Sequence, residues 1–224
     1  MQHQRAELEW RDGRVPVSTR FDDPYFSLEN GLDETRHVFL DGNNLQDRLR
    51  DRFHVAELGF GTGLNFLATL DLWRATGQSG TFRYTSFEAF PMEADDMRHA
   101  LSAFPRLAEL TETFLDAWDP VTGRAVLPGA TLEVISGDAR ETLKDWDGLV
   151  DAWFLDGFSP AKNPELWSAD LMLEVARHTK AGGTAATYTA AGFVRRGLEA
   201  AGFDIERTPG FGRKRHMTRA LKST

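Results

Sequence analysis

Four acidic side chains stand where an apolar run gives way to a glycine or a turn. They are Glu57 in Glu57-Leu-Gly-Phe-Gly-Thr-Gly63, Glu88 after Phe82-Arg-Tyr-Thr-Ser-Phe87, Asp138 in Gly137-Asp-Ala139, and Asp156 in Asp156-Gly-Phe-Ser-Pro-Ala-Lys-Asn-Pro164. A carboxylate so placed accepts hydrogen bonds from hydroxyls and amines, or takes a proton from a reacting group. The stretch from Asp156 is the most informative. Its acid is followed by a loop stiffened by Pro160 and Pro164, which suits a pre-organised site. Where an amine must present its lone pair, Asp156 can accept the proton of the ammonium form or orient its N–H bonds. Phe158 can stack on a base, shield a cation or simply pack. Lys162 can reach a phosphate, and Asn163 can cap the next helix.

Those residues need a frame. Phe53–Leu58 reads as a buried strand, Gly59–Gly63 as a turn and Leu64–Ala75 as a helix. Phe82–Glu88 alternates and is rich in β-formers, and Pro91 can open the next helix. Residues 105–118 suit an additional helix. Strands are expected over 131–135, 149–155 and 183–189, helices over 164–178 and 190–201, and one or two closing strands within 203–221. Residues 1–50 form a polar, aromatic N-terminal extension packed on a core of 51–224. Alternating strands and helices imply a doubly wound α/β sheet, Rossmann-like, with helices on both faces and right-handed crossovers. Ligands in such sheets bind beyond the carboxyl ends of the strands, so the four acidic strand tips should face one crevice.

Composition narrows the chemistry. The chain has 224 residues, enough for one large α/β domain, and no cysteine, which removes disulfides, thiolate metal sites and cysteine nucleophiles. Its six histidines are scattered, so no metal site is expected. No apolar run is long enough to span a bilayer, and the start, Met1 to Trp10, is too polar for a signal peptide. A cytoplasmic location and no membrane partner are the expectations. The formal charge is −8, which opposes broad binding of nucleic acid. After Glu206, however, every charged residue is basic: Arg207, Arg213, Lys214, Arg215, Arg219 and Lys222. That tail is either a local phosphate-binding surface or a solvated edge.

The glycine spacing is G-x-G-x-G, not the G-x-G-x-x-G of dinucleotide binders. An acid two residues before the first glycine is typical of methyltransferases, where it can hold the amino group of the cofactor's methionine part directly or through water. Glu88 can grip both ribose hydroxyls, or stand as a solvated strand end. Asp138 can accept from an adenine amino group while Ala139 offers its N–H; it can equally cap the following helix.

Further, Glu57-Leu-Gly-Phe-Gly-Thr-Gly-Leu-Asn-Phe66, Ser86-Phe-Glu88 and Asp151-Ala-Trp-Phe-Leu-Asp-Gly-Phe-Ser-Pro-Ala-Lys-Asn-Pro164 resemble the methyltransferase domain of the bacterial tRNA 5-methylaminomethyl-2-thiouridine biosynthesis (MnmC) family. So do Phe21-Asp-Asp-Pro-Tyr-Phe-Ser27, Glu34-Thr-Arg-His-Val-Phe-Leu40 and Gly210-Phe-Gly-Arg-Lys-Arg-His-Met217. The resemblance implies N-methylation, by S-adenosyl-L-methionine, of the 5-aminomethyl group of 5-aminomethyl-2-thiouridine at the tRNA wobble position. It implies cofactor contacts at Glu57, Gly59, Gly61, Gly63, Glu88 and Asp138, to which Phe60, Asn65, Ala139 and Asp156 are added as neighbours in the same motifs, and a catalytic carboxylate at Asp156. The anticodon loop would meet Phe158, Lys162, Arg213, Lys214 and Arg215. Bifunctional members also carry a flavin-dependent oxidase domain, for which this chain has no room. The expectation is a stand-alone protein or a fragment of a longer one, with a separate oxidase acting upstream. Competing readings are a methyltransferase for another amine or nucleobase, a dinucleotide-dependent oxidoreductase, and a non-catalytic RNA-binding module.

Overall fold

Short apolar runs set the strands, and the order in which they pair sets the site. The computed structural model describes residues 5–27 and 30–223; Met1 to Gln4, at the polar start, Leu28 and Glu29 in the extension, and Thr224 lie outside them. The leader supplies β1 (Leu8–Arg11), β2 (Val15–Ser18) and β3 (Asp23–Pro24), joined as a small antiparallel sheet. Helix α1 (Gly31–Thr35), a π-helical turn (Arg36–Asp41) and α2 (Leu45–Arg48) follow. The main unit runs β4 (His54–Leu58), α3 (Leu64–Thr76), β5 (Phe82–Glu88), α4 (Ala94–Leu101), α5 (Ala108–Ala117), β6 (Arg124–Leu127), β7 (Ala130–Ser136), α6 (Ala139–Thr142), β8 (Val150–Leu155), α7 (Ala169–Arg177), β9 (Thr179–Thr187), α8 (Gly192–Ala200), β10 (Phe203–Pro209) and β11 (His216–Lys222).

The eight main strands order as β10-β11-β9-β8-β4-β5-β7-β6. β9, β8, β4, β5 and β7 are parallel, while β6 and the β10–β11 hairpin are antiparallel edges. The chain winds outward from β4 through β5 to β7, then returns to the other side as β8 and β9. The strand order therefore reverses between β4 and β8, the place where open α/β sheets bind ligands. Both faces are covered. Ala152 and Phe154 of β8 enter one apolar cluster with α3, α5 and leader residues such as Leu32 and Phe39, while Trp153 and Leu155 enter the other with α7 and α8. The period of two along a strand dictates that split.

The expected strands and helices are present, with local differences. β6 pairs antiparallel to β7 through Arg124↔Glu133, an edge strand too short to stand out by pattern. Pro91 does not open a helix: its carbonyl accepts the Ala6 N–H at 3.2 Å, and α4 begins at Ala94. The helix expected over 164–178 breaks in two, because Ser168 is extended and its hydroxyl caps α7 at Leu171 N. Asn163 makes no capping bond. Among the described residues no helix is long and apolar enough to cross a membrane.

At the amino end of β8, Asp151 is buried and accepts from Arg50 Nη2 (2.8 Å), Lys180 Nζ (2.7 Å) and His54 N (2.9 Å). Burial alone would raise its pKa; the bonds from Lys180 and His54, with the charges of Lys180 and Arg50, hold it below the usual carboxylate value. The folded pKa thus lies below the unfolded one, so the stabilisation is full above about pH 4 and is lost as pH falls through the folded value. Asp151→Asn should cost about 2 kcal/mol in urea unfolding at pH 7, discounted because both cations stay partly in water. The gap between variant and wild type should shrink at pH 3.

Candidate active site

A cavity of about 1450 Å³ opens beyond the carboxyl ends of the parallel strands. Gly59 after β4, Glu88 at the end of β5, Gly137 and Asp138 after β7, and Asp156 after β8 all line it. The leader closes it from above through Tyr25 and Glu34, and the β10–β11 loop through Phe211, Arg213 and Lys214.

The glycine turn divides its work. Gly59 has φ +88°, and a Cβ there would lie 2.4 Å from the Asp156 carbonyl oxygen, so a side chain is excluded where β4 and β8 converge. Gly61, at φ +53°, lines the cavity, and a Cβ on it would meet Tyr25 Cδ1 at 3.0 Å. Phe60 also lines the cavity. Gly63 is instead the N-cap of α3 and is not part of the lining.

Glu57 does not line the cavity either; it is fully buried beneath it. Alternation along β4 turns it toward α3, together with Val55. There Asn65 Nδ2 donates to Glu57 Oε1 at 2.8 Å and to Asp156 Oδ2 at 2.7 Å. Ser86 Oγ donates to Glu57 Oε2 at 2.9 Å, and Thr35 Oγ1 donates to Asn65 Oδ1 at 2.8 Å. Glu57 therefore does not reach the cavity directly; the amide of Asn65 stands between its carboxyl and that of Asp156. Burial pushes the Glu57 carboxyl well above its ordinary range, outweighing the bonds from Asn65 and Ser86. Asp156 is pushed up to about 7, chiefly by burial; the Asn65 bond opposes the rise, the Glu34 charge adds to it and Lys214 opposes it.

Glu88 is held by two backbone donors, Gly61 N at 3.0 Å on Oε2 and Phe90 N at 2.8 Å on Oε1. Burial raises its pKa against those bonds. Asp138 caps α6 by accepting from Arg140 N at 2.9 Å, and pairs with the Arg140 guanidinium, which lowers its pKa. Its helix-capping role is therefore the one the geometry displays. Ala139 is buried in the cavity wall.

Phe158 packs rather than standing free: it stacks on Phe21 (4.8 Å) and meets Tyr25 edge-on (5.0 Å). Lys162 is likewise occupied, bonded to the carbonyl and carboxylate of Asp22 and 3.9 Å from Asp23. Asp23 also accepts the Ser159 N–H at 2.8 Å. Lys162 thus clasps the N-terminal extension to the loop after β8. Lys214 pairs with Glu34 at 2.7 Å, Arg213 is exposed at the rim, and Arg215 is exposed and outside the lining. Among the described residues no cluster of His, Asp and Glu suits a metal ion.

Residues that the sequence did not single out complete the walls: Tyr25, Glu34, Thr35 and Tyr188. The hint lay in the resemblance, whose Phe21–Ser27 and Glu34–Leu40 segments contain Tyr25, Glu34 and Thr35 without assigning them a role.

Residues 105–223 match the family model described as S-adenosyl-L-methionine-dependent methyltransferase. The chain is 47% identical, over 97% of its length, to the tRNA 5-methylaminomethyl-2-thiouridine biosynthesis bifunctional protein MnmC of Caulobacter vibrioides. It is 45% identical, over 96% of its length, to the protein of that name from Pseudomonas fluorescens. It spans only 38% and 34% of those relatives. Among solved structures, MNMC2 of Aquifex aeolicus aligns with all of this chain and 72% of its own, with a TM-score of 0.79 and 26% identity.

A buried Glu57 that accepts from both Asn65 and Ser86 predicts an asymmetry between two substitutions. Glu57→Gln keeps an acceptor for Asn65 and should cost less than about 1 kcal/mol in denaturant unfolding at pH 7. Glu57→Leu strands the Asn65 and Ser86 donors and should cost at least about 2 kcal/mol. Equal losses would mean that the Asn65 and Ser86 donors do not depend on an acceptor at position 57.

Proposed function

Since this chain belongs to the S-adenosyl-L-methionine-dependent methyltransferases, we propose that it methylates the exocyclic amine of 5-aminomethyl-2-thiouridine at the wobble position of tRNA. The relatives are named for a 5-methylaminomethyl product, which differs from a 5-aminomethyl precursor by one methyl group on nitrogen. The observation that carries the reading is Asp156. It is a carboxyl poised to take a proton near neutrality, in the same cavity as the glycine turn.

The walls suit the cofactor and a second nucleoside. At about 1450 Å³ the cavity exceeds the roughly 300–1,000 Å³ usual for one small ligand. The first turn of α3 has no side-chain cap, and an uncapped helix N-terminus favours a carboxylate such as the cofactor's own. Glu88, its carboxylate fixed by Gly61 and Phe90, has lone pairs left for ribose hydroxyls. Phe60, Asp138 and Ala139 would flank the base, and Asn65, backed by Glu57, would face the amino-acid end. Bound there, S-adenosyl-L-methionine supplies an electrophilic methyl group that a neutral nitrogen can attack.

The chain's task is to deliver that nitrogen. An alkylamine has a pKa near 10 and arrives protonated. Asp156 accepts its proton, and Asn65 Nδ2, donating to Oδ2, fixes the direction from which it is taken. Phe21, Tyr25 and Phe158 pack as an aromatic cluster on the cavity wall, which would exclude water once the ligands are bound. Positioning of this kind can supply about 7–11 kcal/mol of the acceleration. The tRNA anticodon loop is the partner in this reading, with the exposed basic residues of the β10–β11 loop on the side from which its phosphates would approach. A flavin-dependent oxidase acting upstream would expose the amine, and the cytoplasm is the place where both substrates meet.

Incubation with cofactor and tRNA lacking the methyl group, followed by mass spectrometry of the nucleosides, should show the methylaminomethyl product. Free small amines should show none. Asp156→Ala should yield no product while binding S-adenosylhomocysteine within a few-fold of wild type. The wild-type kcat/KM requires Asp156 ionised and the amine protonated. It should therefore fall tenfold per pH unit below about 7, hold level above it, and decline again toward pH 10.

A further inference from the structure

Lys214 occupies a pocket that nothing in its own position requires. Its Nζ lies 2.7 Å from Glu34 Oε1 and 4.2 Å from the centre of the Tyr188 ring, and all three residues line the cavity. An anionic oxygen on one side and an aromatic face on the other are the two elements that recognise an ammonium ion. Both are built into the frame rather than borrowed from the surface. The Tyr188 hydroxyl donates to the carbonyl of Gly157, next to Asp156, at 2.7 Å, and its ring packs on Trp167. Glu34 has a side chain only 16% exposed, and its neighbour Thr35 is tied through Asn65 to Asp156. Lys214, by contrast, rides on the loop between β10 and β11 and is 45% exposed. The Tyr188 bond to Gly157 and the shared cavity lining place the pocket close to Asp156, which feels the charges of both Glu34 and Lys214.

We infer that Glu34 and Tyr188 form a binding site for a primary alkylammonium, held in this structure by the protein's own Lys214 and taken over by the aminomethyl group of the substrate. The inference rests on the proposed function and assigns the residues that read the substrate's amine. Lys214 Nζ and that amine in its charged form are the same chemical group, so one can replace the other without leaving Glu34 unpaired. The displaced Lys214 then meets a phosphate of the incoming RNA, so that each cation exchanges one anion for another. A uridine with no amine cannot make the exchange. It would have to leave Glu34 partly buried without a partner, or enter with Lys214 still in place. A tethered competitor also weakens apparent affinity by the fraction of time it holds the site.

The test is calorimetric binding of two free nucleosides, 5-aminomethyluridine and uridine, to protein saturated with S-adenosylhomocysteine. Lys214→Met should tighten 5-aminomethyluridine tenfold or more and leave uridine unchanged. Adding Glu34→Gln to Lys214→Met should return the aminated nucleoside to the affinity of uridine. If that double variant fails to fold, Tyr188→Leu with Lys214→Met reads the pocket from its aromatic side, with the same expected loss. No tightening in Lys214→Met, or an unchanged preference for the amine after either second substitution, overturns the inference. Failure of wild type to methylate tRNA would instead count against the proposed function, because the nucleoside comparison reads the ammonium pocket without any turnover.

Discussion

One amide group holds the site together. The two N–H bonds of Asn65 Nδ2 reach carboxyls from two different strands, Glu57 on β4 and Asp156 after β8, while its oxygen accepts from Thr35 on α1. An amide has no more capacity to spare on that nitrogen, so its orientation is fixed by its bonds rather than by packing alone. The strand reversal between β4 and β8, the start of α3 and the leader helix are thereby pinned at a single point. Two buried carboxyls this close to one another can share such a site only if charge is limited. Burial answers that need by raising both pKa values, Glu57 well above its ordinary range and Asp156 to about 7.

Strand β8 shows how far environment decides what an aspartate does. Asp151 at one end and Asp156 just beyond the other are both screened from water. The first accepts from two cations and a backbone N–H, and stays ionised. The second faces the cavity with a single neutral donor, and its pKa climbs to about 7. The carboxyl ends of the strands carry chemistry while the amino ends carry stability, as doubly wound sheets require.

Much of this frame was legible in the residues. The apolar runs at 53–58, 82–88, 131–135 and 149–155 located the parallel strands, and the glycine and acid at each tip located the crevice. Local pattern could also turn Glu57 toward α3. It could not say that α3 would seal it in, since that depends on Asn65 eight residues later bridging to β8. The leader's role was hidden for the same reason. Asp22 and Asp23 find Lys162 and the Ser159 N–H more than 130 residues away, and Lys214 finds Glu34 at 180. Contacts of that span leave no periodicity to read. The partners of Lys162 and Asp138, Asp22 and Arg140, were likewise not legible, because a sequence displays a side chain's chemistry but not the group that pairs with it.

The sheet order carries a consequence for the birth of the protein. β11 lies between β9 and β10, although it is synthesised after both. Until β11 leaves the ribosome, β10 has no strand to pair with, β9 lacks a neighbour on that side, and the loop bearing Phe211 and Lys214 has no anchor. The rim of the cavity is therefore assembled from segments translated far apart, Tyr25 and Glu34 on one side and Phe211 to Lys214 on the other. A nascent chain can complete much of the sheet and still have no enclosed cavity until β11 has slotted between β9 and β10.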